Sequence, residues 1–287
     1  MKLALVAGYD GKNFSGSQYQ PDVRTVEGEF IKAGISCGAW DDAKGASFRT
    51  AGRTDKGVSV RRQLISVTTD VPKRFCEAIN FHLPPDIWCL GYACVPDEFY
   101  PRYAAETRTY RYYFPFPLDI ERMQETAAVF VGTKDFSGFS RMEEGRDPVR
   151  TVTRAEVFEE NGLPVFEVTA KSFLWNMVRG MAGFLFAAGM GLAGPAEAEA
   201  QIERHIWRVH PAAAEGLVLW DFACGISFEP MRQREEVSRQ LFSAAEKSRQ
   251  EALTAEALLG DKKDALLSDA VFKNYGSLLK KRDKITL

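Results

Sequence analysis

Thr107-Arg108-Thr109-Tyr110-Arg111-Tyr112-Tyr113-Phe114 alternates basic and aromatic residues along a run of high strand propensity. Successive side chains of a strand point to opposite faces, so this segment presents two surfaces that can do different jobs. Further strands are expected at Leu3 to Val6, broken by Gly8-Tyr9-Asp10-Gly11, around Leu64 to Thr68 and from Trp88 to Cys94. Thr151 to Glu159 and Val165 to Thr169 alternate like half-buried strands about an Asn161-Gly162 turn, and Leu217 to Cys224 reads as a closing strand. Between them the sequence predicts helices starting at a Thr25 cap, at Phe75 to Phe81 before Leu83-Pro84-Pro85, and at Ile120 to Val131. One more carries Leu174, Met177, Val178, Met181, Phe184, Leu185 and Ala188 at helical spacing, while Asp135 to Arg141 reads as a loop. Each half runs strand, helix, strand without long βαβ alternation. The fold class is therefore α+β with a mostly antiparallel sheet. From Met231 onward the composition shifts to Ala, Glu, Lys, Arg and Leu, which predicts a peripheral helical tail.

The 287 residues, 45% apolar and 12% aromatic, suffice for a large buried core. A net charge of −2 gives no overall attraction to nucleic acid, so any such binding needs a local basic face. Three stretches are candidates: 49 to 62, Arg102 to Arg111, and Arg141 to Arg154, the last diluted by Glu143, Glu144 and Asp147. Five cysteines without Cys-x-x-Cys spacing, and a Met-Lys-Leu opening without a signal peptide, predict a reducing, cytoplasmic setting. The three histidines are too sparse for zinc, with His205 and His210 five apart and no cysteine ligand nearby, so no metal is expected. No stretch is apolar over the roughly 18 to 20 residues a membrane span needs.

Gly52-Arg53-Thr54-Asp55-Lys56-Gly57 holds one carboxylate among cations, with Arg49, Arg53, Lys56, Arg61 and Arg62 all between positions 49 and 62. Neighbouring cations favour the ionised form, so Asp55 reads as a nucleophile or anion instead of an acid. A solvated basic turn with a salt-bridged aspartate explains the same residues. Arg179 also stands out, at the edge of an apolar helical stripe, where a buried guanidinium needs a partner. It reads either as a structural or snorkelling arginine or as the partner of Asp55 across a cleft. Gly189-Met190-Gly191-Leu192-Ala193-Gly194 matches a dinucleotide fingerprint only as a string, because it follows a helix; it reads as a helix end. Asp41-Asp42 and Glu143-Glu144 lack the apolar pocket of a two-carboxylate glycosidase, and no Gly-x-Ser-x-Gly elbow is present.

With these blocks in order, the sequence resembles the TruA-type family of tRNA pseudouridine synthases from Leu3 to about Phe228. The likeness rests on Tyr9-Asp10-Gly11 with Phe14, Gly16, Gln18 and Gln20; on Gly52 to Val58; and on Leu83-Pro84-Pro85-Asp86-Ile87. It continues through Arg108-Thr109-Tyr110-Arg111-Tyr112, Ser172 to Arg179 and Gly216-Leu217-Val218-Leu219. The lysine after Asp55 makes the loop resemble archaeal or eukaryotic members. Phe99-Tyr100-Pro101-Arg102 departs from the family, which more often has His-Ala in the middle, and Ser59 replaces a bacterial histidine.

The resemblance implies a pseudouridine synthase fold of two pseudo-symmetric, βαβ-containing halves sharing the sheet, with an active-site cleft between them. It implies that Asp55 is the nucleophile, Arg179 its salt-bridge partner, and Tyr110 the aromatic that stacks on the target uracil and helps remove its C5 proton. Arg53 would help displace the base and Leu219 line the uracil pocket, with Lys56, Arg111 and Lys171 completing the substrate-binding set. It further implies uridines on the three-prime side of the tRNA anticodon stem-loop as targets, a homodimer, and no cofactor. The expected organisation is residues 1–106 for the half with the Asp55 loop, 107–230 for the half with Tyr110 and Arg179, and 231–287 for the tail, with Lys280-Lys281-Arg282 as an RNA-contacting candidate. Competing readings are a catalytically silent tRNA-binding module, an N-glycoside hydrolase that releases uracil, and a synthase with another uridine target.

Overall fold

Leu3, Leu5, Ala7 and Tyr9 alternate with Ala4 and Val6 along the first strand, and the two sets enter different hydrophobic clusters on opposite sheet faces. The computed structural model describes residues 1–206 and 209–259, so Lys280-Lys281-Arg282 lies outside the described residues. The strands are β1 (Lys2–Tyr9), β2 (Arg49–Thr50), β3 (Ser59–Thr68), β4 (Ile87–Val95), β5 (Thr107–Tyr113), β6 (Gly132–Asp135), β7 (Val149–Glu160), β8 (Leu163–Ala170), β9 (Leu217–Ala223) and β10 (Glu229–Pro230). The helices are α1 (Val26–Ser36), α2 (Ala43–Ala46), α3 (Pro72–His82), α4 (Pro101–Ala104), α5 (Ile120–Ala128), α6 (Met177–Gly189), α7 (Pro195–Arg204) and α8 (Glu235–Leu259).

All ten strands form one sheet in the order β10-β4-β1-β3-β9-β5-β8-β7-β6, with β2 added on β3. Among the described residues only β3 and β9 pair in parallel. In the first half β1 lies between β3 and β4, antiparallel to both, and α3 carries the chain from β3 to β4. The second half repeats the plan: β5 lies between β8 and β9, antiparallel to both, and α6 and α7 connect β8 to β9. The fold is thus α+β on a mostly antiparallel sheet, with one parallel crossover in each half.

Several elements differ from the sequence expectation for local reasons. β1 continues to Tyr9, because its ladder with β4 resumes after an irregularity at Val6 and Ala7 and extends to Ile87. β3 starts at Ser59, because Ser59 and Val60 pair with β9. The sequence reading assigns no element to residues 132–134 and a loop from Asp135, yet Gly132 to Asp135 adds an edge strand, β6, to β7. The Asn161-Gly162 turn has φ of 55° and 78°, the left-handed pair that a tight two-residue hairpin requires. α1 begins as expected: Thr25 accepts a hydrogen bond from the Gly28 amide. Helix α6 starts after Leu174 and buries Met177, Val178, Met181, Phe184 and Leu185, each worth about 1.5–3 kcal/mol relative to exposure. Gly180 lets α6 seat there, since a Cβ at that position would lie 2.0 Å from the Phe139 carbonyl oxygen. After β9 the chain returns to the first half, where β10 pairs with β4 and Met231 is buried.

Candidate active site

The site forms where the sheet forks. β9 pairs with β3 at Ser59 and Val60, and farther along that edge β2 pairs with β3 at Ile65 and Ser66. The loop from Ala51 to Val58 lies in the fork. The Ala51 amide donates to the Leu64 carbonyl at 2.9 Å on the β3 side, and Arg108 of β5 donates to the Ala51 carbonyl at 2.8 Å on the other. Thr54 is buried, and its hydroxyl lies 2.7 Å from the Tyr9 hydroxyl. Thr54 N–H donates to Ser17 Oγ at 2.9 Å, and Ser17 N–H donates to the Thr54 carbonyl at 3.1 Å. At the far end of the loop the Val58 amide donates to the Asp55 carbonyl at 3.2 Å, and Gly57 turns the chain at φ 87°, a value side chains rarely adopt. Asp55 is held by its neighbours, with its own carboxylate 40% exposed.

Arg179, on the first turn of α6, places Nη1 at 3.6 Å from Asp55 Oδ2. That distance is an ion pair and too long for a direct hydrogen bond. Shorter contacts aim the guanidinium: Nε donates to the Ala212 carbonyl at 2.7 Å and Nη1 to Asn176 Oδ1 at 3.2 Å. Asn176 stands at the N-terminal boundary of α6 in a left-handed conformation at φ 62°, and its side chain makes no cap hydrogen bond to the helix, leaving Oδ1 to Arg179. Among the described residues the carboxylate therefore pairs with one partly buried cation and keeps unfilled hydrogen-bonding capacity.

Tyr110 on β5 pairs in register with Leu219 on β9. Leu219 is fully buried, whereas Tyr110 is half-buried and meets the Phe173 ring edge-to-face at 5.2 Å. Burial pushes the Tyr110 phenol up to about 12; the Arg108 guanidinium opposes the rise, and the Asp55 charge adds to it. At neutral pH the ring is an uncharged aromatic surface. Arg108, two residues before it in the basic and aromatic run, is buried and, among the described residues, has only main-chain acceptors: the carbonyls of Ala51, Arg102, Ala105 and Lys171. Burial lowers its pKa.

The other residues named from sequence divide between two faces. Arg53, Lys56 and Lys171 are exposed, the first two flanking Asp55 and the third following β8. Arg111 follows Tyr110 and so points to the opposite face, where its Nε lies 2.6 Å from Glu167 and its guanidinium stacks 3.8 Å from Trp220. Arg61 stacks on the same indole at 4.4 Å, Arg62 pairs with Asp221 at 3.1 Å, and Arg49 donates to the Phe48 carbonyl. The basic setting of Asp55 is consequently sparser than a count along the sequence suggests, because strand β3 turns Arg61 and Arg62 to other partners. The Tyr9–Thr54–Ser17 clamp and the Arg108 staple were not expected from sequence. Their signals are a tyrosine and glycines preceding the loop and an arginine inside a strand core.

No helix among the described residues is long and apolar enough to cross a membrane. Residues 126–223 match the family profile described as tRNA pseudouridine synthase. Curated relatives called tRNA pseudouridine synthase A cover nearly the whole chain. The protein from Methanocorpusculum labreanum is 60% identical over 98% of this chain and 100% of its own length. Those from Methanosphaerula palustris and Thermococcus kodakarensis are 46% and 43% identical over 91% of this chain, covering 92% and 98% of the relatives. The geometry around Asp55 and this end-to-end similarity lead to one conclusion: the chain belongs to the TruA-type tRNA pseudouridine synthases, a family of isomerases.

Proposed function

We propose that Asp55 is the nucleophile with which this enzyme isomerises uridines on the three-prime side of the tRNA anticodon stem-loop. The observation that carries this reading is the carboxylate itself: clamped by Thr54 and Gly57, paired with Arg179 at 3.6 Å, yet 40% exposed beside Tyr110. In the reaction the C1′–N1 bond breaks, the base turns, and a C1′–C5 bond forms; the C5 proton leaves and N1 ends protonated, so the product is an isomer. Attack on C1′, attack on C6 and removal of a ribose proton all require an ionised carboxylate. Arg179 supplies a fixed positive field for that form. A uridine must leave the base stack to reach it, at a cost of a few kcal/mol that stacking on Tyr110 offsets. A phenol held near 12 is neutral at physiological pH, which favours stacking over service as a free base.

Leu219 forms an apolar floor beside Tyr110, and exposed Arg53, Lys56 and Lys171 are positioned by sequence and exposure to meet RNA phosphate or the displaced base. Arg111 enters this scheme only by stiffening the reverse face of β5. The chemistry assigned to these residues draws on no cofactor. The reading includes a cytoplasmic homodimer divided into residues 1–106, 107–230 and a 231–287 extension, of which α8 is the described part.

The test is pseudouridine formation on unmodified tRNA. Asp55→Asn abolishes turnover while tRNA binding persists; appreciable residual turnover sinks the nucleophile assignment. Chromatography of the parent reaction shows pseudouridine in the RNA and no free uracil, the product an N-glycoside hydrolase would release. Site mapping on the anticodon arm checks the target position.

A further inference from the structure

Helix α4 is one turn with two unlike sides. Pro101 and Ala105 are buried, and Ala104 and Phe99 pack against the cluster of Ala4, Val6, Ala51 and Leu64. The turn is closed by Tyr103 and Ala104 amides donating to the Tyr100 carbonyl, both at 3.1 Å. Tyr100 and Tyr103, three apart and hence on one side, project outward with 40% and 79% exposure. Their rings pack on each other at 5.3 Å and 36°, which fixes the pair as a small platform with an open outer surface. Arg102 between them is exposed; burial first, and then the charges of Arg146 and Arg102 against the opposing charge of Asp147, lower the pKa of nearby Arg150. Arg150 is committed to the fold, with Nη1 donating to the Asp147 and Val149 carbonyls at 2.9 and 2.6 Å and Nε buried, so Arg102 is the exposed cation beside the rings.

Position makes this platform relevant to the site. One nitrogen of Arg108, Nη2, donates both to the Arg102 carbonyl at 2.9 Å and to the Ala51 carbonyl at 2.8 Å. The turn with the tyrosines and the strand end that leads into the Asp55 loop are therefore fixed to a single buried guanidinium. Exposed aromatic rings beside arginines suit unpaired RNA, whose bases stack on the rings while phosphates meet the cations.

We propose that Tyr100 and Tyr103 form a base-stacking subsite for an unpaired nucleotide of the RNA substrate flanking the target uridine, with Arg102 taking its phosphate. This rests on the synthase reading of the Asp55 cleft. The experiment compares the full chain with Tyr103→Ala, Tyr103→Trp and Arg102→Gln in tRNA binding across a salt series and in pseudouridine formation. Loss of one base stack weakens binding by roughly tenfold in Tyr103→Ala, carried by Kd and KM, with the salt slope retained. Tyr103→Trp keeps parental affinity. Arg102→Gln reduces the salt slope by roughly 0.7 to 0.9, the value of one phosphate contact. Parental affinity and KM in Tyr103→Ala, or a Tyr103→Trp variant as weak as Tyr103→Ala, overturns the subsite. A parent chain that makes no pseudouridine but binds tRNA with this Tyr103 dependence sinks the synthase reading and leaves the subsite standing; one that binds no tRNA overturns both.

Discussion

Strand β5 separates two carboxylates that have opposite treatment. On the face of Tyr110, Asp55 has, among the described residues, a single arginine at 3.6 Å, and its side chain is 40% exposed. On the face of Arg111, Glu167 is 6% exposed and held by Arg111 and Arg154, each at 2.6 Å. A carboxylate with two short, charge-assisted partners has its acceptor capacity filled and serves the fold. One with a single long ion pair retains capacity for a substrate. The contrast separates a carboxylate with acceptor capacity to spare from one committed to the fold, without reference to which is nearer a cleft.

Asp55→Asn should break the contrast most sharply in activity: a loss of at least about a thousandfold is expected for removing a nucleophile, with stability changed by less than about 1 kcal/mol because the pair is long and exposed. Turnover and denaturant midpoints measured on one preparation check both halves. Glu167→Ala should do the reverse, costing about 3 kcal/mol by leaving Arg111 without its main partner. A midpoint unchanged by that substitution would show that the two arginines are satisfied without the acid. Arg179→Ala falls between the extremes. It should abolish most activity, yet destabilise by only about 1–2 kcal/mol, since what it loses structurally is the Ala212 and Asn176 contacts.

The smallest effect is in the alkaline range. The Tyr110 pKa rises on folding from its ordinary 10.0 to about 12. The folded state then binds more protons than the unfolded state between these values, so the contribution of Tyr110 to stability is full below pH 10 and declines as pH approaches 12. Tyr110→Phe should make the stability difference between variant and parent shift in that window and stay flat below it; a difference that moves through neutral pH instead would refute burial as the cause.

Much of this site was legible in the chain. Asp55 between glycines, Arg179 in an apolar helix and the alternation around Tyr110 each mark a residue whose surroundings are costly unless used. The Asp55–Arg179 pairing was one of two readings of the residues alone, and the resemblance favoured it and added Tyr110, since spacing alone left a salt-bridged turn open. The limits are instructive. Arg111 was placed with the substrate despite standing on the opposite side of the strand from Tyr110. Arg61 and Arg62 were counted around Asp55, although Trp220 and Asp221 engage them. Charge along a sequence is a local quantity, whereas the partners that consume it come from strands far away in the chain. Edge strand β6 was missed for a related reason: four residues with Gly132 and Lys134 acquire strand geometry from β7, not from their own propensity.

The two-residue parallel seam between β3 and β9 also bears on how the molecule comes together. The contacts that close it are remote in sequence, as in the Arg62–Asp221 bridge, whose partners are 159 residues apart. Each half has mostly nearer neighbours to collapse upon, so the junction is expected to close late, because long loops must be ordered before remote contacts repay them. Asp55 and Arg179 come from opposite sides of that junction. Catalytic competence would then arise in the last step of folding, and a refolding experiment that follows turnover beside helix content should find activity lagging behind structure.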